Sequence, residues 1–265
     1  HLAQGTALAW VDIGLPHGLG ARQVVDQVEV EIDRQHGLGY RQQRCLIGQQ
    51  NDGVRDCWAP LVTERPMCKG ELLLQQGELP HTFKIVKTGT VMLLCSGEDR
   101  VERPVGLFGS GQPLGTTGLV QQPATVSCRA LTAGRVCEVR IAAANQQGLL
   151  DKEFLQALAQ NYAQTNARLA EWARIARIRG VAGQLAAALL QLARIQRSTL
   201  VRLPSHAVLA DLLATTRETI ARTLRQLTLR QGLVRHDRWH CEIRREVLLG
   251  LAGGQVPASA APPTS

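Results

Sequence analysis

Residues 203–227, LPSHAVLADLLATTRETIARTLRQL, constrain this chain more than any other stretch. Leu209, Leu212, Leu213, Ile220, Leu224 and Leu227 form one apolar side at helical spacing. Two start signals interrupt the run. Pro204–Ser205 opens a first helix, with Ser205 a good N-cap. Thr215 and Glu218 have capping-box spacing, so a second helix is expected to begin near Thr216. The pattern predicts two short helices joined by a tight turn.

The second helix presents a particular chemistry. Arg217, Glu218 and Thr219 fall in its first turn, and Arg222 follows Glu218 by four residues, on the neighbouring turn of the same face. A guanidinium can grip guanine O6 and N7 with two bonds, and a carboxylate accepts from cytosine N4. In a helix-turn-helix the second helix enters the major groove, so Arg217, Glu218 and Arg222 are the expected base readers. Thr216, Thr219 and Arg225 are expected to contact the DNA backbone, which fixes register rather than sequence. Arg230 fits a phosphate contact and a solvated face equally well.

Charge supports this division of labour. The net charge of +8 resides entirely in one part of the chain: residues 1–150 hold 14 basic and 14 acidic residues, whereas residues 151–265 hold 16 and 8. Of those 16 only Lys152 is a lysine. An arginine-rich half beside a neutral half suits a nucleic-acid module attached to something else. Seven scattered cysteines lack the density of a disulfide scaffold, which points to reduced thiols and a cytoplasmic setting. No run approaches the length of a membrane span and no secretory signal is evident, so no membrane partner is expected. The chain starts at His1 rather than Met, which leaves its true beginning undefined.

Upstream, the chain changes period. From Cys68 to Ile141, short apolar runs (Glu71–Leu74, Phe83–Val86, Val91–Cys95, Val136–Ile141) alternate with glycine-bearing turns. That spacing predicts an antiparallel sandwich, barrel or roll, with a short helix near residues 51–62 leading into it. After Gly148, Leu155, Leu158, Tyr162, Thr165, Leu169, Trp172 and Ala176 recur every three or four residues. This is the spacing of a coiled-coil seam on a helix from about Leu150 to Arg179. Core packing alone would also produce such a stripe; a dimerisation helix is expected because a two-fold DNA reader needs two recognition helices. Gly180 and Gly183 then interrupt the pattern as a hinge would. Gln184–Ala193 resumes as a helix, and residues 233–245 alternate like a hairpin or wing. Glu246–Ala252 reads as a last short helix.

The expected fold is α+β: an N-terminal antiparallel, jelly-roll-like β-roll, a long dimerisation helix and a C-terminal winged helix-turn-helix. The corresponding segments are an N-terminal extension (1–50), the roll (51–147), the dimerisation helix (148–180), the winged module (181–252) and a tail disordered by composition (253–265).

Roll, long helix, glycine hinge and winged reader, in this order, resemble the bacterial CRP/FNR superfamily of transcription regulators. KGELLLQQGELPHTFKIVKTGTVMLL (69–94) is similar to the family's opening strands, and Gly115–Leu119 occupies its G-E/D-x-x-G element. Residues 183–190 are similar to the helix after the hinge, and TRETIARTLRQL (216–227) is very close to the family's recognition helix. The resemblance spans about residues 51–252. It implies a homodimer on palindromic DNA with TGTGA-like half-sites, and RNA polymerase as a further partner. The segment Arg194–Leu203 looks shorter than the family's polymerase-contacting loop, which puts that contact in doubt.

The resemblance also locates an effector pocket, and here the sequence departs from the pattern. The family's ribose-binding carboxylate position is Thr116, after Gly115. The phosphate-binding arginine position falls near Ala124-Thr125, with no basic residue between Gly115 and Cys128. An anionic phosphate in such a pocket would lose hydration without a cation to replace it, which argues against cyclic AMP. An iron–sulfur cluster would draw on Cys45 and Cys137, the two positions resembling the oxygen-sensing branch; the upstream cysteine pair is missing. The other reading of Cys95, Cys128 and Cys137 is as small buried hydrophobes of the roll. Haem stays open as well, with His81 or a cysteine as ligand. His236, His240 and Cys241 have a loosely metal-like spacing within a wing that suits DNA backbone proximity better.

Other classes fit less well. There is no Walker loop, G-x-S-x-G, HExxH or strand–GxGxxG–helix unit, so no enzyme is expected. Aromatic residues make up 3% of the chain, which disfavours an RNA-stacking platform. A non-specific architectural DNA-binding protein is the remaining alternative.

Overall fold

The computed structural model describes residues 46–48 and 52–253. Most of the expected N-terminal extension, including Cys45, and the tail beyond residue 253 lie outside the described residues. Helix α1 (Asp52–Trp58) and a 3-10 turn (Ala59–Leu61) lead into the roll. Its strands are β1 (Val62–Met67), β2 (Leu72–Leu74), β3 (Thr82–Thr88), β4 (Val91–Ser96), β5 (Glu102–Phe108), β6 (Pro113–Leu114), β7 (Ser127–Ala130) and β8 (Gly134–Arg140). Helices α2 (Ile141–Gln146), α3 (Lys152–Ala176) and α4 (Val181–Gln196) follow. The winged module continues with β9 (Leu200–Arg202), α5 (His206–Leu212), α6 (Arg217–Leu229), β10 (Leu233–Arg235), β11 (His240–Ile243) and α7 (Arg245–Ala252).

The roll is two antiparallel sheets, ordered β1-β8-β3-β6 and β2-β7-β4-β5. Four of its strands, β1, β5, β6 and β7, carry no clear alternation in the sequence. The chemistry explains two of them. Strand β1, VTERPM, is an edge strand that buries only Met67 fully. Strand β5, ERPVGLF, accommodates Pro104 at a sheet edge, opposite Leu94 where the register with β4 shifts.

Strand β4 is buried on both faces, which is why VMLL reads as a continuous apolar run. Val91 and Leu93 point into the roll with Val86, Phe108, Leu114 and Val136. Met92 and Leu94 point outward, joining Leu107, Trp172, Ile175, Leu185 and Leu189 in the core of the winged module. Gly106 on β5 permits this approach. A Cβ there would come 3.1 Å from the Trp172 ring and 3.2 Å from Leu169.

Helix α3 starts at Asp151, whose carboxylate accepts from the Phe154 backbone amide at 2.8 Å. Phe154 stacks on Trp58 (5.1 Å between centroids) and tilts against Phe83 (6.1 Å), with Leu158 packed in the same cluster. The stripe expected as a single dimer seam therefore divides. Leu158 and Trp172 are buried within the chain and Leu169 packs on the roll, whereas Leu155 and Tyr162 are exposed. A three-four spacing marks an apolar face but does not say whether the chain's own sheet or a second copy covers it.

Gly180, at φ +81°, makes the turn between α3 and α4. Gly183 departs from the hinge expectation. It lies inside α4, where a Cβ would come 2.8 Å from the Ile178 side chain and 3.2 Å from the Leu251 carbonyl, so it lets α4 and α7 pack closely. Around α4 the winged module buries Leu185, Leu189, Leu192, Leu209, Leu213, Ile220, Leu224, Leu227 and Leu248. Strand β9 pairs with β11, making the wing a three-stranded sheet rather than a plain hairpin and occupying the segment that reads as a short loop.

Because Phe154 joins α3 to the roll through two aromatic contacts, Phe154→Ala is expected to cost about 3–5 kcal/mol. Denaturant unfolding of the purified variant checks this, and an unchanged midpoint would contradict the packing described.

Candidate nucleic-acid interface and sensor pocket

The reader face of α6 follows from how the helix is capped and packed. Thr216, in extended conformation, accepts from the Thr219 backbone amide at 3.2 Å, so the cap is Thr216 and the helix begins at Arg217. The capping-box spacing of Thr215 and Glu218 is thus displaced by one residue. Thr215 instead donates its backbone N–H to Ala210 at the end of the turn, next to Ala214 at φ +48°. Ile220, Thr223, Leu224 and Leu227 face the module core. The opposite side, with Arg217, Glu218, Arg222 and Arg225, is exposed.

The electrostatics suit an acceptor flanked by donors. The Glu218 carboxyl is held below its usual range by its own backbone amide, the Thr216 hydroxyl and Arg217, so it is ionised and can only accept. No ion pair joins Glu218 to Arg222, although they share a face. Arg217, Arg222, Arg225 and Arg230 make no side-chain hydrogen bond or ion pair among the described residues, which leaves their donors to solvent. Thr219, half-buried, bonds the Thr216 hydroxyl at 3.0 Å, and its carbonyl accepts from Thr223 at 2.7 Å.

The wing is built on Asp237. Its carboxylate accepts from the backbone amides of Trp239 (2.5 Å) and His240 (2.7 Å) and meets His240 Nδ1 at 2.8 Å. The His240 contact first, then these amides, lower the Asp237 carboxyl to about 2 against the desolvation of a partly covered group. His236 faces Glu242 at 3.4 Å, and Cys241 is buried. The three residues with metal-like spacing are therefore not gathered into one site. Arg238 lies over the Trp239 ring at 5.0 Å, and Lys69 of the roll approaches the same ring at 5.3 Å. Burial first, then Arg235 and Arg238, push the His206 imidazole below its usual range.

In the roll, Gly115 adopts φ +74° ahead of a 3-10 turn, Thr116–Val120. Thr116 is buried and its hydroxyl bonds the Tyr162 hydroxyl of α3 at 2.7 Å. The position that would need a carboxylate is thus a hydroxyl already bonded to the long helix. Thr125 is exposed, and the nearest following arginine, Arg129 on β7, pairs at 3.2 Å with Glu102 on β5 of the same sheet. Sequence reasoning missed Tyr162 as a partner of this region; its polar tip within an otherwise apolar stripe was the available signal.

Cys137, on β8, is half-buried and packs against the cluster containing Leu46, Ile47 and Trp58. Its expected companion Cys45 lies outside the described residues. No group of three or more His, Cys, Asp or Glu that could hold a metal occurs among the described residues. His81 is exposed. Burial in the roll core pushes the Cys128 thiol up to about 12, and burial in the winged module pushes Cys241 up to about 11, so both are protonated packing residues. No helix among the described residues is long and apolar enough to cross a membrane.

Two family models match the chain: the cyclic nucleotide-binding domain over residues 64–147 and the Crp-like helix-turn-helix domain over residues 183–249. No match is found among curated proteins. Solved structures share the fold at low identity. FixK2 from Bradyrhizobium japonicum is 22% identical, with 76% of this chain and 99% of that chain covered and a TM-score of 0.62. A CRP-family transcriptional regulator from Thermus thermophilus is 20% identical, with 71% and 96% covered and a TM-score of 0.59. The c-di-GMP responsive global regulator CLP of Xanthomonas campestris is 21% identical, with 73% and 100% covered and a TM-score of 0.56. With a cyclic nucleotide-binding-like roll and a Crp-like reader in one chain, the protein belongs to the CRP/FNR family of transcription regulators.

Proposed function

We propose that this regulator binds palindromic double-stranded DNA as a homodimer, reads TGTGA-like half-sites with Arg217, Glu218 and Arg222, and answers to a signal other than cyclic AMP. The observation that carries the reading is the outward face of α6: two exposed arginines with no side-chain hydrogen bond or ion pair among the described residues, beside an ionised glutamate at the capped start of the helix. Two arginines call for two guanines, and the glutamate for a cytosine on the opposite strand. Thr216 and Thr219 hold the helix start, and with Arg225 they supply backbone contacts that set register.

Expected effects separate these roles. Arg222→Ala or Glu218→Ala relaxes base preference at one position per half-site, costing roughly 1–3 kcal/mol on the matched duplex and much less on a mismatched one. Arg230→Ala, by contrast, weakens all duplexes alike. Fluorescence anisotropy on a panel of single-substitution duplexes measures both, and an unchanged preference for Arg222→Ala removes that residue from the assignment.

Dimerisation is supported by the exposed side of α3, where Leu155, Ala159, Tyr162 and Asn166 recur at four-three-four spacing. A two-fold reader needs two recognition helices about one DNA turn apart. Leu155→Glu should leave the protomer folded, shift sedimentation toward monomer and weaken binding to the full palindrome more than to a half-site. A dimeric, fully active Leu155→Glu protein would remove α3 from the interface.

The wing carries a pH prediction. Asp237 has a depressed pKa, so the support it gives the turn is complete above its ordinary value of 3.8 and is lost as pH falls toward about 2. Amide hydrogen exchange at Trp239 and His240, corrected for its intrinsic pH dependence, should accelerate across that window. It should already be fast at neutral pH in Asp237→Ala; unchanged protection would contradict the role.

The regulator is placed in the cytoplasm with its DNA, with RNA polymerase as the machinery it acts on. A signal other than cyclic AMP is supported by Thr116, bonded to Tyr162, and by the lack of a basic residue between Gly115 and Cys128. The Xanthomonas relative named for cyclic di-GMP indicates that this frame accommodates other signals. Haem or an iron–sulfur cluster remains an alternative input; an absorption spectrum of anaerobically purified protein distinguishes a Soret band, cluster absorption or neither.

A further inference from the structure

A half-open cleft of about 350 Å³ lies where the roll, α3 and α4 meet, away from Thr116. Gly109 and Ser110 of the β5–β6 turn form one wall, Arg168 and Glu171 of α3 a second, and Gln191 and Arg194 of α4 a third. Gly109 lies close against α4: a Cβ there would come 2.5 Å from the Ile195 side chain and 3.0 Å from its carbonyl oxygen. The roll and the reader module therefore touch at the rim of this cleft.

Its chemistry is unbalanced in one direction. Glu171 is bound by Arg174 through two bonds of 2.8 and 2.9 Å, which neutralise the acidic group of the lining. Arg168 is half-buried and has no ion pair among the described residues; burial alone pushes its guanidinium below the usual range. Arg194 lies close enough to Glu171 to help lower its carboxyl, and Arg197 completes the lining. Gln191 is 4% exposed and lines the cleft with its Oε1 unpartnered. A buried amide without a partner is costly in an otherwise apolar helix, and a half-buried guanidinium without an anion is costlier. Gln191 Oε1 only accepts, so it calls for a hydroxyl or N–H donor, whereas Arg168 calls for an anion; an occupant that carries both groups relieves both costs.

We propose that this cleft binds a small organic phosphate that carries a hydroxyl, its phosphate held by the forks of Arg168 and Arg194 and its hydroxyl donating to Gln191 Oε1. A planar fork of N–H donors matches phosphate oxygens, and the volume exceeds what inorganic phosphate alone would fill. Since the walls come from roll, long helix and reader module, the ligand ties the reader to the roll in the arrangement described. The site goes beyond the DNA-binding reading and does not depend on it.

Calorimetry on the full chain without DNA tests the site directly, with pyrophosphate and ribose 5-phosphate as probes and citrate as a non-phosphate anion. Saturable binding of a phosphate probe is expected, weakened roughly tenfold or more by Arg168→Gln or Arg194→Gln and unchanged by Arg230→Gln. Thermal melts confirm that the variants are folded, and Gln191→Leu gives a second variant that removes the amide without touching charge. No saturable binding at millimolar probe, equal binding by the arginine variants, or citrate bound as tightly as the phosphates would overturn the proposal. Because DNA is absent, none of these outcomes bears on the reader helix.

Discussion

The outer face of strands β4 and β5 is the constraint on which the molecule depends. Met92, Leu94 and Leu107 belong to the roll by connectivity, yet they are buried with Trp172, Ile175, Leu185 and Leu189 of the helices that follow. A sheet with one face on its own core and the other on a second module cannot be shed from that module without exposing large apolar side chains, each contributing about 1.5–3 kcal/mol when buried. Sensor, long helix and reader are consequently parts of one packed body rather than beads on a linker. At Gly106 and Gly109 there is no room for a side chain against α3 and α4 respectively.

This packing gives a physical route for regulation. Any ligand that favours the docked arrangement over another shifts the balance by its differential affinity for the two, and by nothing more. Two polar features lie on the route. The Thr116–Tyr162 hydrogen bond ties the family's effector position to the long helix, and Thr165 of that helix donates to Gln112 of the roll at 3.2 Å. The arginine-lined cleft lies on the same junction, between the roll and α4. Each feature connects the roll to an element that carries or orients the reader.

Much of this was legible in the sequence where a segment's pattern had a single physical cause. Helices α4 and α6 have apolar faces buried in one continuous core, and their periodicity shows it. Strand β4 reads as strand because both faces are apolar. Strands β1 and β5 do not, since an edge strand with Glu64, Arg65 or Pro104 alternates neither by burial nor by propensity. Helix α3 is the intermediate case: its spacing gives the helix but merges two faces, one for the roll through Leu158 and Trp172 and one exposed through Leu155 and Tyr162. The exposed grouping of Arg217, Glu218 and Arg222 was legible because short-range spacing on one helix places it. The cleft was not, because Arg168 and Arg194 meet only through packing; the one trace of it was Gln191 within an apolar helix.

The central claim is that a capped, exposed helix start selects base pairs in two symmetric copies. Selection of bound duplexes from a random library, run with the wild-type protein under reducing and oxidising conditions, measures that claim most directly. The account predicts an enriched two-fold symmetric motif whose half-sites contain guanines and a G·C pair, centred about one turn of DNA apart. A library that emerges unenriched, or enriched for a motif without two-fold symmetry, would contradict it.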